Sequence, residues 1–349
     1  MHMADALISP AVGGAMLAVA AGLAVYSIHK IQNDMDEKKI PLMGVTGAFV
    51  FAAQMINFSI PATGSSGHIV GALLLAALLG PYAAFLSIAS VLLIQALFFA
   101  DGGLLAYGAN VFNMGFFACF LAYPLIYRGF TGKGYSAKKI FLASLISVVV
   151  ALQLSAFCVV LETLLSGKTE LPFATFLLFM QPVHLAIGVV EGLVTAAILI
   201  FVWKSRPEIL ERAASGQALG ALPLKKILAG FAAAIIVTGG ALSWFASAHP
   251  DGLEWSVFKT TGATELETGE SLHETLSSIQ ERTAFLPDYN FRAPAQEAAT
   301  EAEDEAVWPS INSGTSVSGI IGSAVMLVFA VLLGGFIHLV KRRNQRLST

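Results

Sequence analysis

The sequence predicts an all-α fold, a polytopic helical bundle in a membrane, and three observations carry the prediction. Of 349 residues, 56% are apolar and 12% charged, where a soluble domain has about 45–50% and about 25%. The mean hydropathy is +0.73. The apolar residues gather into runs close to the roughly 20 residues that a helix needs to cross a bilayer. A soluble enzyme, a disordered chain and a nucleic-acid binder all fit this composition poorly. Cys119 and Cys158 fall inside apolar runs. They are too few for a disulfide framework and lack zinc-finger spacing, so they read as packing residues.

Nine runs qualify as spans: 10–29, 40–60, 68–80, 82–100, 104–127, 139–165, 173–203, 225–247 and 315–340. The first opens on Pro10, where a missing N–H costs nothing. It continues through Gly13, Gly14, Ala20, Ala21 and Gly22, small residues that let helices approach closely. No Lys or Arg precedes Lys30, so this is not a secretory signal, and Met1 is expected to be retained. The third run is short. Thirteen residues at 1.5 Å each give about 20 Å, less than the roughly 30 Å apolar core. Gly80-Pro81 ends it, and Pro61-Ala62-Thr63-Gly64-Ser65-Ser66-Gly67 before it cannot be helical. The pair suggests a loop dipping into the protein, tolerated at membrane depth only where it is buried or lines a wet cavity.

Seven spans thus make a first unit, 1–205. A basic linker follows at 206–224, with Pro207, Gly216, Gly220 and Pro223. A two-span hairpin, 225–349, then encloses an outer loop, 248–313. That loop holds 13 Asp or Glu against 3 Lys or Arg. Within it 295–306 is low-complexity and expected to be mobile, and 266–283 fits one amphipathic helix. Lys and Arg favour the cytoplasmic side. With the N-terminus outside and the C-terminus inside, 16 of the 20 basic residues fall on cytoplasmic segments.

The chemistry gathers on the outer face. A free Met1 amine, the His2 backbone nitrogen and His2 Nδ1 can close a five-membered and a six-membered chelate ring on one metal ion. A fourth nitrogen, from His68, would complete a planar set. Such a set suits Ni²⁺ or Cu²⁺ and accommodates Co²⁺. It excludes Mg²⁺ and Ca²⁺, which take oxygen ligands. The plainer alternative is that His2 is an incidental residue of an exposed terminus.

At this point a resemblance appears. The start Met1-His2-Met3-Ala4-Asp5-Ala6-Leu7-Ile8-Ser9-Pro10 resembles that of the CbiM/NikM family, the substrate-capturing components of energy-coupling-factor nickel and cobalt transporters. Phe49 to Phe58, Thr63-Gly64-Ser65-Ser66-Gly67-His68, Gln95 to Gly103 and Gly108-Ala109-Asn110-Val111-Phe112-Asn113-Met114 are similar to family motifs. Pro250-Asp251-Gly252-Leu253-Glu254 resembles the signature of the small CbiN/NikN component, here fused on. The resemblance implies a square-planar site for a transported ion, built from the Met1 amine, the His2 amide nitrogen and imidazole, and the His68 imidazole. It implies no prosthetic group. It further implies a separate transmembrane coupling subunit and cytoplasmic ATPase subunits as partners, in the cell's inner membrane and its lipid, and no nucleic acid. The residue at position 6 is a departure, since many relatives carry Gly where Ala6 stands.

Other polar residues have two readings. Asp5, Asn57, Ser65 and Ser66 either orient the metal-bound rings or cap helix ends. Gln54, Asn57 and Asn110 are expected to support the pocket. Gln95 and Asn113 are read as interhelical hydrogen-bond groups. Glu162 is expected to reach the membrane interface. His184 and Glu191, seven apart on one face of the seventh span, offer an ion or proton path. They would serve a proton- or sodium-coupled permease, the first alternative function; a membrane-anchored metal sensor using the acidic loop is the second. Ser166-Gly167-Lys168-Thr169 ends like a P-loop, but Glu162 stands where its first Gly belongs. The chain is therefore not expected to be an enzyme, and ATP would be hydrolysed elsewhere.

Overall fold

The computed structural model describes residues 2–34, 39–220, 222–263, 266, 271–292, 309 and 311–347. Met1 and the low-complexity stretch 295–306 lie outside them. Each of the nine apolar runs contains a helix. In chain order these are α1 (Pro10–Asp34), α2 (Lys39–Gln54), α3 (Ala72–Leu79), α4 (Pro81–Phe98), α5 (Tyr107–Thr131), α6 (Ala137–Leu165) and α7 (Phe173–Ser205), followed by α9 (Lys225–Gly240) and α12 (Ser313–Leu347). Three shorter helices join them: α8 (Pro207–Ser215), α10 (Gly252–Thr261) and α11 (Ser271–Thr283).

Six helices, α1, α4, α5, α6, α7 and α12, are long and apolar enough to cross a membrane. α2 and α9 have 16 residues each and α3 has 8, so α3 extends about 12 Å. The short third helix is thus shorter than the 68–80 run that encodes it. Gly71 is the reason: it starts α3 in the left-handed region at φ 75°, and a side chain there would meet Val50. The outer surface is what a lipid solvent demands, with Val25, Leu178, Phe201 and Leu332 exposed.

α6 and α7 pack along each other, and α12 lies on α2 and α9, so the hairpin is docked on the first unit. Within α5, Phe112–Tyr127 is wound with the wide π pitch and contains Pro124. Such windings are rare and concentrate at functional sites.

The 55–71 segment contains a small antiparallel strand pair, β1 (Phe58–Ile60) and β2 (Ser65–Gly67), with Phe58 opposite Gly67 and Ile60 opposite Ser65. Non-helical backbone buried in a membrane protein must find partners for its polar groups. Here it finds them in three places. The strands pair with each other. Ser66 N–H donates to the Pro250 carbonyl (2.8 Å), adding the start of α10 beside β2. Val70 and Gly71 N–H donate to the two Glu191 carboxylate oxygens of α7, at 2.8 and 2.9 Å.

Candidate functional site

The 3-10 turn Asp5–Leu7 and the residues before it run inward from the start of α1. Asn110 of α5 holds this segment by both backbone polar groups of Met3: Met3 N–H donates to its Oδ1 (2.7 Å), and its Nδ2 donates to the Met3 carbonyl (3.1 Å). Asp5 Oδ1 accepts from Ala106 N–H (2.9 Å). The result places His2 beside His68, rings stacked with centroids 5.1 Å apart and planes inclined by 14°. Both face a cavity of about 320 Å³ that is also lined by Gln54, Asn57, Asp101 and, from the hairpin's outer loop, Asp251, Glu254 and Tyr289.

His2 is held at both ring nitrogens. Nε2 lies 3.2 Å from Gln95 Oε1, and Nδ1 lies 3.0 Å from Asp101 Oδ1. His68 Nδ1 lies 3.1 Å from the Ile69 carbonyl; a carbonyl only accepts, so Nδ1 carries the proton and Nε2 the lone pair. Burial holds both rings far below the ordinary histidine value, at about 3, so both are neutral near pH 7 and able to donate lone pairs. Burial also raises the Asp101 carboxyl, an effect opposed by the Tyr289 hydroxyl, which donates to Asp101 Oδ2 at 2.5 Å.

The hairpin's outer loop closes over this face. Trp255 Nε1–H donates to the Thr63 carbonyl (3.0 Å). His273 Nε2 reaches the Asp5 and Ile8 carbonyls (3.0 and 3.1 Å). Gln280 Nε2 donates to the Ala96 and Gly102 carbonyls (2.9 and 2.7 Å). The Pro250 to Glu254 stretch has a physical reading residue by residue. Pro250 supplies a carbonyl to Ser66. Asp251 and Glu254 form a capping box, the Asp251 carboxylate accepting from Leu253 and Glu254 N–H while Glu254 accepts from Asp251 N–H. Gly252 lets the turn settle on α7, where a Cβ would lie 3.0–3.3 Å from Ile187, Val183 and His184.

Gln54 and Asn57 line the cavity. Ser65 shares a hydrogen bond with Thr63 (2.7 Å), and Ser66 donates its hydroxyl hydrogen to the His249 carbonyl (2.7 Å). Both hydroxyls therefore shape the loop and its contact with the hairpin. Gln95, read from sequence as a helix-packing group, touches His2 itself. Glu162, expected at the interface, is buried and accepts from Asn113 Nδ2 (2.7 Å). Glu191 is engaged with the Val70–Gly71 backbone, and His184 Nδ1 is bonded to the Met180 carbonyl (2.8 Å). Contact of 250–290 with the mouth of the pocket is an expectation of the family resemblance, but Asp101, Tyr289, His273 and Gln280 were not individually legible as site residues, because their meeting depends on contacts across the whole chain. Among the described residues, no group of three or more His, Cys, Asp or Glu side chains is gathered as metal ligands.

Residues 2–209 match a family described as the cobalt uptake substrate-specific transmembrane region, and residues 225–339 match the PDGLE domain. A protein of Archaeoglobus fulgidus, provisionally named a fused nickel transport protein, is 35% identical over 68% of this chain and 75% of its own length. The cobalt transport protein CbiM of Sorangium cellulosum is 29% identical over 61% of this chain and 95% of its own. A crystal structure of a truncated transition metal transporter superposes with a TM-score of 0.52 and 32% identity, covering 59% of this chain and 99% of that one.

Proposed function

The chain belongs to the family of cobalt uptake substrate-specific transmembrane regions, and from that membership we propose that it captures Ni²⁺ or Co²⁺ outside the cell and delivers it inward, as the substrate-binding component of an energy-coupling-factor importer. The observation that carries the proposal is the meeting of His2 and His68 over one polar cavity. The proposed ligands are the Met1 amine, the His2 amide nitrogen, His2 Nδ1 and His68 Nε2. Four strong nitrogen donors favour late first-row divalent ions.

The surroundings support capture of a hydrated ion. A space of about 320 Å³ corresponds to about ten waters at roughly 30 Å³ each, room for an ion still carrying its hydration shell. Asp101, Asp251 and Glu254 line it and draw a cation by their field. Asn110, Asp5, Gln54 and Asn57, with Ser65 and Ser66 in the loop, hold the ligand-bearing segments in place. In this reading the chain has seven spans and a two-span hairpin, N-terminus outside and C-terminus cytoplasmic, and is not itself an enzyme. A separate coupling subunit and ATPase subunits supply the energy for uptake.

The test is equilibrium dialysis of the full-length chain, its first residue established by intact mass, against equimolar Ni²⁺ and Co²⁺. One bound ion per chain is expected. His2→Ala, His68→Ala and a one-residue extension ahead of Met1 are each expected to abolish high-affinity binding. Wild-type affinity in the extended protein overturns the amine ligand.

A further inference from the structure

We propose that Gln54 and Gln95 are positioning residues that fix the tautomer of His2, placing its proton on Nε2 so that Nδ1 is the nitrogen left to bind the cation. The inference rests on the capture reading above and adds the device that prepares one of its ligands.

A chain of hydrogen bonds runs from the Val70 carbonyl to His2, and its direction is set at one end. The Val70 carbonyl has no hydrogen and accepts from Gln54 Nε2 at 2.8 Å. That fixes the Gln54 amide, whose Oε1 therefore faces Gln95 and accepts from Gln95 Nε2 at 2.8 Å. The Gln95 amide is then fixed in turn, and its Oε1 is the atom 3.2 Å from His2 Nε2. An amide oxygen only accepts, so His2 Nε2 must carry a hydrogen. Gln95 is fully buried and Gln54 nearly so, and reversing either amide would set two donors or two acceptors face to face.

The anchor of this chain is itself anchored. Val70 N–H and Gly71 N–H are both held by the Glu191 carboxylate. One carboxylate on α7 thus fixes the backbone turn two residues beyond His68 and, through two amides, the ring of His2. A carboxylate at Nδ1 works in the opposite sense, because Asp101 Oδ1 is 3.0 Å away and would by itself favour a proton on Nδ1. The amide chain decides the matter, since it leaves Nε2 no other role than donor. Nδ1 is then the ring nitrogen left open to a cation.

The experiment is nitrogen NMR of the metal-free, full-length chain in detergent at pH 8, with ¹⁵N-histidine and His2 assigned by the signals missing in His2→Ala. Wild type is expected to carry its ring hydrogen on Nε2. Gln95→Leu removes the acceptor and is expected to move the hydrogen to Nδ1 and to weaken Ni²⁺ binding about 10–100-fold, the usual cost of losing an outer partner of a metal-bound His. Gln95→Glu keeps an acceptor toward His2 but loses the donor to Gln54 Oε1, and is expected to retain the Nε2–H tautomer. Should Gln95→Leu fail to fold, Gln54→Met breaks the chain one link away and is expected to give a mixture of tautomers. A wild-type His2 with its hydrogen on Nδ1 overturns the proposal, as does a tautomer change in Gln95→Leu that leaves affinity intact. The failure of the capture reading looks different: His2→Ala would then bind Ni²⁺ like wild type.

Discussion

His2 and His68 stack face to face, 5.1 Å between ring centroids, and stacked rings cannot both point a nitrogen at one ion. The lone pair of an imidazole lies in the plane of its ring, so a cation shared by the two requires one ring to turn. The N-terminal segment is tied by Asn110, Asp5 and His273, which makes His68, on the 61–71 loop, the ring to move. His68→Phe separates the two roles. It keeps an aromatic face against His2 and is expected to leave thermal stability within about 1 kcal/mol, an ordinary cost for a near-isosteric change. Ni²⁺ affinity is expected to fall by more than the roughly 100-fold that loss of an outer partner causes. Thermal unfolding and dialysis on the same preparation check both halves.

The pH dependence of capture follows from which groups hold protons before the ion arrives. Burial keeps both rings near 3, so between pH 5 and 7 neither imidazole is protonated and neither releases a proton on binding. A terminal amine, with an ordinary value of about 7.7–8.0, and a backbone amide each release one. Affinity is therefore expected to fall with acid, by close to two powers of ten per pH unit below about 7. A Ni²⁺ titration at several pH values, with proton release followed in weak buffer, reads the slope. A slope near four would mean that both rings titrate as well.

Gly252 sets the distance between the hairpin's outer loop and α7. Alanine there asks Ile187, Val183 and His184 to shift by a few tenths of an ångström and is expected to be mild. Gly252→Leu forces the turn away and is expected to cost about 1–3 kcal/mol, as overpacking does. It would also break the Ser66–Pro250 hydrogen bond. Hydrogen exchange at residues 62–71 is expected to quicken in the leucine variant and not in the alanine one.

Glu191 separates two accounts of intramembrane acid. As an acceptor of two backbone N–H groups, it is structural to the site. Glutamine offers one oxygen, so Glu191→Gln leaves one buried N–H facing an amide NH₂, at a cost of about 1–3 kcal/mol. Weaker Ni²⁺ binding is expected in detergent, where no gradient exists. Unchanged binding with transport lost in vesicles would instead favour a proton path through His184 and Glu191.

Much of the architecture was legible because membrane helices announce themselves by composition. Every apolar run contains a helix, and even the brevity of the third was readable from Gly80-Pro81 and the Gly/Ser-rich stretch before it. The meeting of His2 and His68 was expected because chelate geometry is local for the first two residues and a motif pointed to the second ring, and the structure stacks the two rings. What sequence could not show is who holds these groups. Tyr289 reaches Asp101 across 188 positions and Gln280 reaches Gly102 across 178, and no periodicity encodes such meetings. Gln95 makes the interhelical bond expected of it, to Gln54 of α2; that its other amide atom reaches His2 was beyond the sequence, because a polar residue in a span has many neighbours to choose from.

The fusion of the two units has a kinetic meaning. A cover carried on a separate polypeptide can diffuse away, and its occupancy then depends on how much of it the cell makes. Here α8 and the turn after it tether the cover to its cavity, at an effective concentration of about millimolar for a short flexible link. If the chain captures an ion as proposed, every molecule that reaches the membrane brings its own cover in fixed one-to-one proportion, whatever the expression level.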